Sequence, residues 1–326
     1  MGSYEKEKLY SQQAHVITIP EQVRLSGKCT PEIIAEGVSY LHRDGLIVLD
    51  NAIDVSHIDT LNTMLSAEAL EIAADPDHHF NFGRETRNMD QARPPQGDMM
   101  YKDVWCNPFA AAILSAIIGP KPVVHYANGN TALKATGRQP VHSDCEFEHP
   151  NFPFAYVLNI NLVDTSAVNG GTELWLGSHH VSTVDCHITG DTSEHALVVK
   201  KEYLEERRRH SPPVQATTKR GSLMLRDLRL WHAGMPNKTD DPRVMLAFVM
   251  QPQWYQCPGR VLLPRSVKDL VESWSDEMLF AAQWVDGEVD HKKVKSTDVS
   301  FDTGNKALLA MRDVVAHRPG WAPEYY

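Results

Sequence analysis

The stretch RQPVHSDCEFEHP, residues 138–150, decides how this chain is read. It carries the triplet His142-Ser143-Asp144 just after a Gly/Pro turn, TGRQP, with short β-forming runs on both sides. On a strand, residues i and i+2 project from one face about 6–7 Å apart, so both side chains can reach one metal ion. Two further His-x-Asp triplets, His42-Arg43-Asp44 and His57-Ile58-Asp59, fall in stretches with helical spacing. There i and i+2 point about 200° apart and do not readily close on one ion. Strand context therefore singles out 142–144.

Working outward, the runs PVVHYAN, NTALKA, AYVLNINLV, TELWL, GSLMLRD, LRLWHAG and RVMLAFVMQ fill residues 122–251 with short strands punctuated by Gly, Pro and Asn. Before them, PEIIAEGVSYL (31–41) has helical spacing, Gly45 breaks it, and LIVLD reads as a strand. A second amphipathic helix starts near Asp54 or Ser56, either of which could cap it, and a third covers PFAAAILSAIIG. Residues 75–103 show no periodicity and read as a long loop. Helices first and many short strands afterwards predict a mainly β fold with α additions, a jelly roll packed by N-terminal and C-terminal helices. The expected organisation is one domain over 1–326, with its core at about 40–252 and a C-terminal helical extension at about 264–326.

Composition narrows the function classes. A formal net charge of −10 argues against a nucleic-acid partner, and the basic run Arg207-Arg208-Arg209 reads as the solvated face of a short helix. Five widely spaced cysteines without a C-x-x-C suggest neither a disulfide framework nor a zinc knuckle. No stretch approaches 18 consecutive apolar residues, and the first residues, MGSYEKEKLYSQQ, are charged where a signal peptide would be apolar. A cytoplasmic protein with no membrane partner is expected.

A His nitrogen beside a carboxylate oxygen suits Fe(II), and the two-His-one-carboxylate triad leaves positions open for reactants. The second His is best supplied by His232, which ends one β run. Eleven residues later Arg243 opens the next apolar strand. An Arg there is costly unless it meets an anion, and its planar fork matches a carboxylate.

The set Gln139-x-x-His142-x-Asp144, then NGGTELWLGSH (169–179), then His232 and Arg243, resembles the phytanoyl-CoA dioxygenase-like family of non-haem iron and 2-oxoglutarate oxygenases, in the style of its fungal specialised-metabolism members. The likeness covers about 40–252, beginning at LHRDGLIVLD. It implies a double-stranded β-helix of the cupin type and Fe(II) held by His142, Asp144 and His232. It also implies 2-oxoglutarate anchored by Arg243, with Gln139 and Thr172 as further co-substrate contacts, and O2 as oxidant. Several relatives carry Ser two residues after the distal His, where this chain has Gly234. The retained Asp144 speaks for oxygen chemistry and against halogenation.

The implied reaction is oxidation of an unactivated C–H bond in a small hydrophobic metabolite, by hydroxylation, desaturation or rearrangement, within terpenoid, meroterpenoid or alkaloid biosynthesis. An acyl-CoA hydroxylase is the nearest alternative. A Jumonji-like protein hydroxylase usually anchors 2-oxoglutarate with Lys, and a non-catalytic metal-binding jelly roll is the remaining alternative. Phe147, Tyr126 and Met100 are the candidate substrate contacts. The expected partners are a small-molecule substrate and a second copy of the chain in a homodimer.

Overall fold

The computed structural model describes residues 13–188, 194–295 and 299–304. Strand β1 (His15–Thr18) and helix α1 (Glu21–Ser26) lead into α2 (Pro31–Asp44), which starts on Pro31 and stops at Gly45 in the left-handed conformation, φ +74°. Strand β2 (Leu46–Asp50) follows, then α3 (Val55–Ala73), capped by the Asp54 carboxylate accepting the Ser56 N–H. Strand β3 (Asn88–Asp90) and helices α4 (Lys102–Trp105) and α5 (Pro108–Ile118) precede β4 (Val123–Ala132), β5 (Tyr156–Asn161) and β6 (Glu173–Leu174). Helix α6 (Lys201–His210) and strands β7 (Val214–Gln215), β8 (Leu223–Asp227), β9 (His232–Ala233) and β10 (Met245–Gln251) complete the core.

The large sheet runs β1-β2-β8-β5-β10-β4, with β3 also paired to β4, and the small sheet runs β7-β6-β9. Together they form a double-stranded β-helix. Period-two alternation decides what each face of the large sheet does. The rows Leu246–Ile160–Leu223 and Phe248–Leu158–Leu225, taken across β10, β5 and β8, join the core beneath the helices. The alternate rows, Ala247–Asn159–Met224 and Val249–Val157–Arg226, line a cavity on the other face. Burying each large apolar side chain stabilises the fold by about 1.5–3 kcal/mol, and a one-residue slip would exchange the two faces.

Helix α5 is apolar almost all round because it is buried almost all round: Phe109, Ala110, Ala111, Ile113, Leu114 and Ile118 are all covered. It lies against α2, where a Cβ on Gly37 would stand 2.8 Å from Ile113 Cδ1. Its N-cap, Asn107, is fully buried. Asn107 Oδ1 accepts the Phe109 and Ala110 N–H groups at 3.1 Å each, and Nδ2 donates to the Ala52 and Asp103 carbonyls. Asn107→Ala is expected to cost about 2–3 kcal/mol, a cap plus stranded buried partners. A denaturant midpoint shift of less than about 1 kcal/mol equivalent would contradict that.

Two sequence expectations need correction. The long loop at 75–103 contains β3, because Asn88–Asp90 pairs with Asn130–Ala132 of β4, and runs into the start of α4. The expected C-terminal helical extension is mostly not helical among the described residues. Strands β11 (Val261–Pro264) and β13 (Ala282–Val285) pair in parallel, connected through the short α7 (Lys268–Glu272) and the two-residue β12 (Leu279–Phe280). Parallel strands need a crossover, so the stretch between them is a connection, one that packs Val267, Val271, Trp274 and Met278 into the core. Residues 305–326 lie outside the described residues. No described helix is long and apolar enough to cross a membrane.

Candidate metal centre and its cavity

His232 of β9, His142 bridged to it, and Asp144 in the irregular backbone that follows come together with one ligand atom of each within 4.8 Å of the others; the strand expected over 142–144 is reduced to isolated bridges at His142. Among the described residues no other group of three such side chains converges in this way. The two histidines are tied by backbone: His142 N–H donates to His232 O at 2.9 Å, and His232 N–H to His142 O at 2.8 Å. Each ring is then turned by the carbonyl two residues before it, Nδ1 of His142 to Pro140 O at 2.9 Å and Nδ1 of His232 to Leu230 O at 3.0 Å. An Nδ1–H donated to a carbonyl leaves Nε2 as the lone-pair nitrogen, the tautomer a metal requires. Burial, then the Arg226 charge, holds the His232 pKa well below its usual value.

Asp144 is gripped by Arg226, whose Nη2 binds Oδ2, while Oδ1 lies 3.6 Å from His232 Nε2. Burial alone would raise the Asp144 pKa; Arg226, His232 and His142 outweigh it and hold the carboxyl below the ordinary range. Arg226 Nε donates in turn to Asn159 Oδ1 at 3.2 Å. The other two triplets serve elsewhere. His57 Nδ1 is 2.9 Å from Asp103 Oδ1, Asp59 pairs with Arg220, and His42 O accepts from His179 Nε2 at 3.2 Å. That last bond makes the GSHH turn a structural corner.

A cavity of about 530 Å³ opens over the triad, lined by His142, Asp144, His232, Gln139, Thr172 and Arg243 among others. Arg243 is only 2% exposed. Its Nη2 donates to Gly170 O at 3.3 Å, whereas Nε and Nη1 are buried with no partner among the described residues. Burial pushes its pKa down to about 10. A buried cation with unused donors facing a cavity calls for an anion with two acceptor oxygens, and a free carboxylate has that form. The donor set thus fits a metal with an attached carboxylate ligand.

Gln139 is buried, and its Oε1 accepts the Gly234 N–H at 2.8 Å. A Cβ on residue 234 would stand 2.5 Å from that oxygen. Here the carboxamide takes up the room beside residue 234, which explains why Gly stands there. Gly234→Ala is expected to displace Gln139 and weaken 2-oxoglutarate binding about tenfold, with loss of roughly 1–2 kcal/mol of stability. Gln139→Ala in the same chain should recover the stability but not the binding, as read by calorimetry and thermal melts; unchanged binding in Gly234→Ala alone would remove Gln139 from the co-substrate site.

Tyr126 and Phe147 line the cavity, as the sequence suggested. Met100 does not: it is 3% exposed and packs in the core on the helix side of the large sheet. The segment leading into α4 turns inward there, so its apolar side chain goes to the core and away from the site. Arg226, Asn159 and Phe82 are among the lining residues that escaped sequence reasoning. Arg226 and Asn159 owe their place to strand register. Phe82 has φ +59° and a ring centroid 4.7 Å from that of His142.

A family model described as phytanoyl-CoA dioxygenase matches residues 41–245. Among solved structures, the epimerase SnoN in complex with Fe3+, alpha ketoglutarate and nogalamycin RO is 19% identical, with TM-score 0.52, covering 68% of this chain and 85% of that one. EctD from S. alaskensis with 2-oxoglutarate and 5-hydroxyectoine is 18% identical, with TM-score 0.55, covering 86% and 97%. The same EctD with bound Fe matches at TM-score 0.52 and 19% identity, covering 79% and 91%. These likenesses show a shared fold.

Proposed function

The chain belongs to the phytanoyl-CoA dioxygenase family, and on that premise we propose that it is an Fe(II)- and 2-oxoglutarate-dependent dioxygenase oxidising an unactivated C–H bond of a small hydrophobic metabolite. One observation carries this reading: the His142–Asp144–His232 cluster and the buried, part-unsatisfied Arg243 share a single cavity. Iron with 2-oxoglutarate, when bound, supplies oxygen activation coupled to release of succinate and carbon dioxide.

The chain's own residues do the rest. Nε2 of His142 and His232 and one Asp144 oxygen hold the metal, while Arg226 fixes the other oxygen and so the orientation of the carboxylate. Arg243 receives the far carboxylate of 2-oxoglutarate. Gln139, with Oε1 committed to Gly234, has its Nε2 donors left for the co-substrate. Leu174, Met224, Met245 and Ala247 give the cavity apolar walls that limit water around the reacting groups.

The acyl-CoA alternative fares worse. Apart from the two histidines, the basic residues lining the cavity among those described are Arg226 and Arg243, and neither is placed to meet phosphate groups at a mouth. A specialised-metabolite substrate is the better fit to these walls. Oxygen-free protein reconstituted with Fe(II) should bind 2-oxoglutarate with a rise in melting temperature and form succinate on admission of air. No succinate from the wild type with any candidate substrate would sink the proposal.

A further inference from the structure

Strand β4 runs between two ends of the cavity. Its last residue, Ala132, bridges Arg243 at one, and Tyr126 pairs with Val249 at the other, six residues or roughly 20 Å back along the strand. The Tyr126 end is aromatic: Tyr126 meets Phe301 edge-on at 5.6 Å, and Phe147 lines the same cavity. Glu146, next to Phe147, also lines it; it is exposed to the solvent that fills the cavity and has no ion-pair partner among the described residues. The Tyr126 end therefore sets a carboxylate acceptor beside aromatic faces.

We propose that the substrate is an apolar, ring-bearing molecule with a protonated amine, its rings held among Tyr126, Phe147 and Phe301 and its ammonium set against Glu146. This rests on the dioxygenase reading. Aromatic faces and a carboxylate around one cation act together, since ring quadrupole and charge attract it in the same place. The amine fixes which way the rings lie, and so which C–H bond is presented to the metal.

The test uses the full chain loaded with Mn(II) in place of iron and with 2-oxoglutarate, without turnover. Tryptamine, N-acetyltryptamine and indole-3-propionate carry one ring system with positive, zero and negative charge. Calorimetry is expected to show tryptamine binding about tenfold tighter than the neutral analogue, with the anion weakest. Glu146→Gln should remove the preference, and Glu146→Lys should reverse it toward indole-3-propionate, a gain that misfolding cannot imitate. Equal binding of the three probes, no binding of tryptamine, or a preference that survives Glu146→Gln overturns the proposal. If the Mn(II)-loaded chain does not bind 2-oxoglutarate at all, the dioxygenase reading itself fails; if it does but shows no amine preference, only this inference falls.

Discussion

Replacing Arg243 with methionine is expected to abolish 2-oxoglutarate binding and, without co-substrate, to make the protein more stable. The side chain is buried with Nε and Nη1 unsatisfied, and its single hydrogen bond to Gly170 O is long at 3.3 Å. Its folded pKa of about 10 lies well below the ordinary arginine value, pushed down by burial. A cation whose pKa falls on folding opposes folding wherever it is charged, so the penalty persists through neutral pH and fades only as pH rises past 10. Its size is on the order of 2–3 kcal/mol. Methionine fills similar volume without the charge and removes that penalty. The same change deletes one partner of a buried charge pair, worth about 2–5 kcal/mol, so turnover should fall roughly 10²- to 10³-fold. Melts with and without 2-oxoglutarate read both effects. A wild-type response to the co-substrate, or a lower melting temperature in its absence, would show that Arg243 is an ordinary structural residue.

The second large effect concerns Asp144. Asp144→Ala should eliminate iron-dependent succinate formation and also destabilise the apoprotein by about 3–5 kcal/mol. The instability comes from Arg226, which is 6% exposed and would keep only its bond to Asn159. Asp144→Ala combined with Arg226→Met should therefore regain most of the stability and none of the activity. Neighbouring sites that share a partner are non-additive in this way. If the double variant is as unstable as the single one, the Arg226–Asp144 pair is not the source of the loss.

Much of the site was legible because its parts obey local rules. His142 and Asp144 were picked out by period two, although the segment makes only isolated bridges at His142 and Asp144 lies in no strand, and Arg243 stood out as a charge at the mouth of an apolar strand. The decoys at His42 and His57 were dismissed by helical spacing, and α2 and α3 lie there. Arg226 was not legible, because its tie to Asp144 and Asn159 depends on how β8 pairs with β5, a register that no single strand announces. Phe82 sits in an aperiodic segment at φ +59°, a conformation that sequence seldom signals for a bulky residue. Met100 was misplaced because loop texture says nothing about which way a side chain turns. The C-terminal strands were misread because four-residue runs such as VLLP and AQWV are too short to separate from helix by pattern.

The reciprocal hydrogen bonds between His142 and His232 close a large loop, since the two residues are 90 positions apart in the chain. Peptide groups alone hold the two imidazoles side by side, so metal capture has little chain entropy left to overcome. Removing the ion with a chelator should leave its binding place standing, and reloading should be limited by how fast the ion arrives and loses water, not by refolding. A spent ion would then be exchanged without the fold having to open.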